Sequence, residues 1–188
     1  MTLIAVGLLS ACEQTSVPEA KPQMNFSGMP YTLNVATIHV VEDYKSQKEP
    51  PHVEKRANIT PAETVKEWAA ARLVAGGKAG YADVVIEDAH IIKKDLPKQK
   101  TGVEGLLTSE QTEAYDGGLE VEIKIYDEQH TLPVASIHVK SKSTRTLGEN
   151  ATLVERNNTC SDISAELIKL LEPELDSNIR SHFTRYLL

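Results

Sequence analysis

The chain has 188 residues, 40% of them hydrophobic and 25% charged, with a formal net charge of −7. That length suits a single domain with room for a real core, and the acidic balance excludes a dedicated nucleic-acid binder, which needs a basic face to neutralise phosphates. No apolar run reaches the roughly 18 residues that would span a bilayer, and Cys12 and Cys160 alone make no disulfide framework.

The opening Leu3-Ile4-Ala5-Val6-Gly7-Leu8-Leu9 is a short apolar segment followed by the small residues Ser10 and Ala11. This is the pattern of a secretory signal peptide, so residues 1–11 are read as an address and not as fold. Leu9-Ser10-Ala11-Cys12 resembles the lipobox of bacterial lipoproteins. The resemblance implies cleavage before Cys12, a diacylglyceryl thioether on its sulfur, and a further fatty acyl chain such as palmitate on the new amino group. Each buried CH₂ contributes about 0.8 kcal/mol, so several chains hold a protein stably where one holds marginally. In lipoproteins of this kind an aspartate after the cysteine favours the inner membrane. Glu13 stands there, so the outer membrane is favoured. No Lys or Arg precedes Lys21, and a start further upstream, supplying the usual basic segment, is expected. Residues 12–30 contain Pro18, Pro22 and Pro30 among polar and small residues and read as a lipidated N-terminus and flexible tether. Residues 31–188 read as one periplasmic α+β domain.

Within that domain, Tyr31 to Val41 predicts a strand whose apolar phase flips between Val35 and Ile38, as at a bulge or in a two-sided strand. Glu42 to Asn58, with Pro50-Pro51, predicts a long exposed connection. Thr60-Pro61-Ala62-Glu63 combines an N-cap hydroxyl, a proline at the first helical position and the glutamate of a capping box. The helix it starts is expected over 61–75, with Val65, Trp68, Ala69 and Leu73 buried and Gly76-Gly77 as its stop. Trp68 reads as a core anchor. Tyr81 to Lys94, rich in Val and Ile, predicts a second strand bulged near Asp88. A polar connection then runs to Gly117-Gly118 and opens with Lys93, Lys94, Lys98 and Lys100. These four lysines are candidate contacts for a partner or for anionic headgroups, against the plainer reading of a solvated loop.

Leu119, Val121, Ile123 and Ile125 alternate with Glu120, Glu122, Lys124 and Tyr126 and predict a half-buried third strand. A turn over Asp127-Glu128-Gln129-His130 and the alternation Ala135, Ile137, Val139 add a fourth strand, antiparallel to it, that Ser141 to Thr146 extends. From about Asn150 the pattern is helical, with Leu153, Cys160, Ile163, Leu167, Leu170 and Leu171 on one stripe. Pro173 predicts a bend or restart there, followed by a last helix carrying Leu175, Ile179, His182, Phe183 and Tyr186.

The expected architecture is α+β: a four-stranded mixed sheet with helices on one face, in the order β-α-β-β-β-α-α. With the lipobox and tether, this layout resembles small outer-membrane lipoproteins: the auxiliary lipoproteins of ABC-type lipid transport, the lipopolysaccharide-assembly lipoprotein and YajG-type lipoproteins. The resemblance implies a membrane-held accessory that docks an envelope protein partner, with no cofactor. It transfers no site residue besides Cys12. No phosphate loop, zinc spacing or nucleophile elbow stands in the sequence. His39 and His138 fall on predicted strands without a third ligand, so no metal site is expected. Glu120, Glu122 and Asp127 read as a wet strand face and not as a general acid/base pair. No catalytic residue is assigned, and the alternatives to docking are a carrier of lipid or another apolar ligand and an envelope hydrolase.

Overall fold

The flip in apolar phase between Val35 and Ile38 marks a change of sheet, not a bulge in one strand. In the computed structural model, which describes residues 24–97 and 111–188, Tyr31–Leu33 forms β1 and Thr37–Glu42 forms β2. β1 lies parallel to β3, Leu73–Ala75, in a two-stranded sheet, while β2 belongs to the main sheet. Tyr31 and Leu33 of β1 are buried, whereas in β2 Ile38 is half-buried and Val40 exposed, so the pattern shifts phase where the chain passes from one sheet to the other.

The first helix, α1, spans Pro61–Arg72. Its start is the capping box read from sequence: the Glu63 amide donates to Thr60 Oγ1 at 3.3 Å, and the Thr60 amide donates to Glu63 Oε2 at 2.8 Å. Val65, Trp68 and Ala69 are buried as expected. The helix ends three residues before the expected Ala75, because 73–75 goes to β3. The ladder against β1 continues past it, with the Gly76 and Gly77 amides donating to the Leu33 and Val35 carbonyls. Pairing with a neighbouring backbone outweighs the few tenths of a kcal/mol by which helix propensities differ. Gly76-Gly77 therefore does not form a left-handed stop. The positive φ of this turn, 71°, falls at Gly80.

The main sheet has the order β2-β4-β5-β6, where β4 is Tyr81–Asp95, β5 is Gln111–Tyr126 and β6 is Ala135–Gly148. β2 runs parallel to β4, and the other two pairings are antiparallel. The register places Val40, Val84, Ile123 and Ile137 in one row. The bulge expected near Asp88 is present, with the register slipping between Ile86 and Asp88. β5 starts at Gln111, so Gly117-Gly118 sits inside a strand and not at the end of a loop. Paired glycines are usually a turn signal. Here the missing side chain of Gly117 makes room for the second helix, since a Cβ there would run into Ile163 Cγ2.

That helix, α2, spans Leu153–His182 as one element through Pro173, so the restart that the proline allowed does not occur. A proline inside a helix costs about 3 kcal/mol. Leu167, Ile168 and Leu171 before it and Leu175 and Ile179 after it are all buried. At about 1.5–3 kcal/mol for each buried side chain, their packing outweighs that cost. Two residues of the expected stripe, Leu153 and Leu170, are exposed, while Cys160 is buried as expected, its thiol pushed up to about 11 by burial.

Both helices cover the face carrying Ala82, Val84, Ile86, Leu119, Val121, Ile123, Ile137 and Val139, giving an α+β fold. Buried Arg72 ties them together, donating to both oxygens of Asp176 at 2.6 and 2.9 Å and lying 3.4 Å from Glu172. Residues 24–30, read from sequence as the end of the tether, lie against the domain. Met24 and Phe26 pack on the core, and the Met29 carbonyl accepts from Arg72 at 2.9 Å. At the other end the tail docks beside β1, the Leu188 amide donating to the Thr32 carbonyl.

Candidate functional site

Because α1 and α2 share one face, the other face of the main sheet is left to charged and aromatic side chains. The alternation that buries Val121, Ile123, Ile137 and Val139 turns Glu120, Glu122, Lys124, His138, Lys140 and Lys142 outward. Cross-strand neighbours lie about 5 Å apart between Cβ atoms, so opposite charges placed there meet. Lys140 reaches Glu120, directly opposite it, at 2.6 Å, and Lys94 reaches Asp116 across the β4–β5 pairing at 2.7 Å, while Lys124 reaches Glu122 along its own strand at 2.7 Å.

Three histidines on this face each face a carboxylate. His39 Nδ1 is 3.1 Å from Asp83, and His90 Nδ1 is 2.7 Å from Asp88. His138 Nε2 lies between two acids, 2.7 Å from Glu120 Oε1 and 3.0 Å from Glu87 Oε2. The His90 ring packs over Gly118, where a Cβ would come within 2.5 Å of its Cε1. The hydrogen bond to Asp88 holds the His90 imidazole above its ordinary range. Burial alone would push the Asp88 carboxyl up, but the bonds from His90 outweigh it and leave that carboxyl below its usual value. At the end of the face nearest Gly80, Tyr81 stacks on Tyr126 with centroids 4.6 Å apart, and His39 lies 5.7 Å from Tyr81.

His39 and His138, both on strands as expected, do not meet across the sheet, because β2 and β6 are its opposite edges. His138 instead meets Glu120, which was read only as surface, and Glu87, which was not singled out. Glu122 pairs with Lys124, and Asp127 accepts from His130 at 2.8 Å in the exposed turn. Of the four candidate lysines, Lys93 and Lys94 emerge on opposite faces of β4 and are engaged within the chain. Lys93 bridges Asp95 at 3.1 Å and Glu113 at 2.9 Å. Lys98, Lys100 and Cys12 lie outside the described residues. The sequence signal that could mark Glu87 is the bulge near Asp88, because an extra residue in one strand re-aims its side chain.

Away from the face, two further features carry polar groups. A cleft of about 590 Å³ opens between the 76–80 turn, the β5–β6 turn and the tail, lined by Asn34, Lys78, Tyr126, Arg185 and Tyr186 among others. Buried Glu54 accepts from Ser46 at 2.6 Å and from Tyr44 at 2.9 Å. Burial raises the Glu54 carboxyl, but these bonds and its backbone partners win and hold it below its usual range. It thereby fastens the 43–58 connection to the sheet.

No family model matches the chain, and no curated protein matches it. Among solved structures it is similar to a minor lipoprotein from Acinetobacter baumannii, with 13% identity over 78% of this chain and 92% of that one and a TM-score of 0.39. It is also similar to the PelC dodecamer from Paraburkholderia phytofirmans, with 15% identity over 77% and 95% and a TM-score of 0.27. A DUF330 protein from Xanthomonas campestris aligns at 9% identity over 82% and 96%, with a TM-score of 0.27. Likenesses with TM-scores below 0.5 assign neither family nor function to this chain.

Proposed function

We propose that the chain is a lipid-anchored periplasmic protein that acts as a non-catalytic docking component of an envelope transport or assembly system. The observation that carries this reading is Leu9-Ser10-Ala11-Cys12 directly after the apolar Leu3–Leu9 segment. Glu13 after the cysteine favours the outer membrane. The helix-free sheet face supports docking, because its charged residues are held at fixed positions by strands and not by loops. The non-catalytic reading is supported by Cys160, the one cysteine among the described residues, being buried with its thiol pushed up to about 11 by burial. The carrier alternative needs room between sheet and helices, where Trp68, Tyr115, Leu167 and Phe183 are packed.

The test compares the wild type with Cys12→Ser, both expressed in a Gram-negative host from a complete upstream start. Intact mass and membrane fractionation are measured, followed by in-cell crosslinking and capture. A lipid-sized mass increment and membrane partition, both lost in Cys12→Ser, establish the anchor, and repeated recovery of envelope proteins with the wild type supports docking. A wild type that stays unlipidated and soluble overturns the anchor. One that is lipidated but captured alone overturns the docking role.

A further inference from the structure

Three side chains from three neighbouring strands converge on the helix-free face: Glu87 from the bulge in β4, Glu120 from β5 and His138 from β6. Their nearest ligand atoms all lie within 4.8 Å of one another. We propose that Glu87, Glu120 and His138 form a binding site for a first-row divalent cation, with zinc as the representative ion.

The geometry already has a cation-like centre. His138 Nε2 lies between Glu87 Oε2 and Glu120 Oε1, at 3.0 and 2.7 Å, so one nitrogen faces two carboxylates. Ligand atoms bound to one ion at about 2.0–2.2 Å stand roughly 3 to 3.5 Å apart, and small rotations of the two glutamates reach that spacing. On binding, the Nε2 proton leaves to solvent and Nδ1 carries the ring's one remaining proton, taken up from solvent in the neutral ring, so the freed Nε2 lone pair goes to the metal and a neutral imidazole ligates. One nitrogen and two carboxylate oxygens suit zinc and its first-row neighbours better than magnesium, which prefers an all-oxygen shell.

The backbone fixes this arrangement. Glu120 stands opposite Lys140 in the register, so His138 reaches Glu120 diagonally. Glu87 is the extra residue of the β4 bulge, lying between Ile86, which pairs with Val121, and Asp88, which pairs with Glu120. Three protein ligands leave coordination positions open to water or to a donor from a docked protein. Lys140 is the competing cation, with its ammonium 2.6 Å from Glu120 Oε1 and its side chain more than half exposed. A bound metal displaces that ammonium into solvent, so Lys140 weakens the site without occupying it. This inference does not rest on the lipoprotein reading.

The test is titration of the full chain carrying Cys12→Ser, which removes a competing thiol, with ZnCl₂. Isothermal calorimetry gives the stoichiometry, and the zinc-induced rise in Tm is a second readout. One equivalent is expected to bind. Glu87→Gln and His138→Ala should each weaken binding by at least about tenfold, since even outer-shell partners of a metal account for about 10–100-fold. Lys140→Met should tighten it, and His39→Ala, on the opposite edge, should leave it unchanged. Glu87→Gln is isosteric and exposed, so its circular dichroism and metal-free Tm should match the parent. Absence of saturable binding overturns the proposal, as does binding that survives both Glu87→Gln and His138→Ala.

Discussion

Glu113 is buried among donors: Arg156 reaches it at 2.8 and 3.0 Å, Lys93 at 2.9 Å and the Tyr115 hydroxyl at 2.9 Å. Arg156 foremost, with help from Lys93 and Tyr115, holds its carboxyl at about 2 against a burial penalty that acts the other way. A folded-state value below the unfolded one means that the unfolded chain binds more protons as the medium is acidified. The stabilisation from Glu113 is therefore fully present above about pH 4.5 and is lost as the pH falls toward 2. Glu113→Gln is expected to lower the urea midpoint at pH 7, and its gap from the wild type should narrow steadily between pH 4.5 and pH 2. A gap that stays constant over that range would show that the carboxylate charge is not what the site uses. The sequence marks Glu113 only as a polar residue in a presumed loop, because Arg156, its main partner, stands 43 positions away and comes close only when α2 lies on the sheet.

At the scale of elements, α2 and β5 touch at a glycine. A Cβ on Gly117 would run into Ile163 Cγ2 and come within 3.1 Å of Leu167 Cδ1, both buried. Overpacking a filled core costs about 1–3 kcal/mol. Gly117→Ala is expected to destabilise by that amount in denaturant unfolding, and Ile163→Ala, which opens a cavity by itself, should recover part of the loss in the double variant. Strictly additive effects would mean that the helix does not rest on this glycine. Element type was largely legible from sequence: the capping box at Thr60, the alternation in β5 and β6 and the helical stripe of α2 are local patterns that their own residues produce. Element ends were not. Leu73–Ala75 became strand because β1 offered it a backbone partner, and α2 continues through Pro173 because buried contacts on both sides hold it against the sheet.

For the whole molecule, placing both helices on one face leaves the other as a rigid, charged surface. Exposed ion pairs contribute only about 0–1 kcal/mol each, so reversing charges there should barely affect folding while changing what the face attracts. Lys124→Glu with Lys142→Glu is expected to keep the wild-type Tm to within a few degrees and to reduce the recovery of crosslinked envelope partners. Lys169→Glu, on α2, should leave recovery unchanged. Equal loss from both variants would place the docking surface elsewhere. The sequence by itself determined the α+β class, the strand alternation, the capped start of α1 and the lipobox pattern, because each depends on residues a few positions apart. Only the tertiary structure decided that Tyr31–Val41 is divided between two sheets, that Gly117 is a helix seat, that Lys93 and Lys94 face opposite ways into acidic partners, and that His138 meets Glu87 and Glu120. Those outcomes depend on strand order and on one bulge, and a one-residue change of register would turn the same side chains to the opposite face.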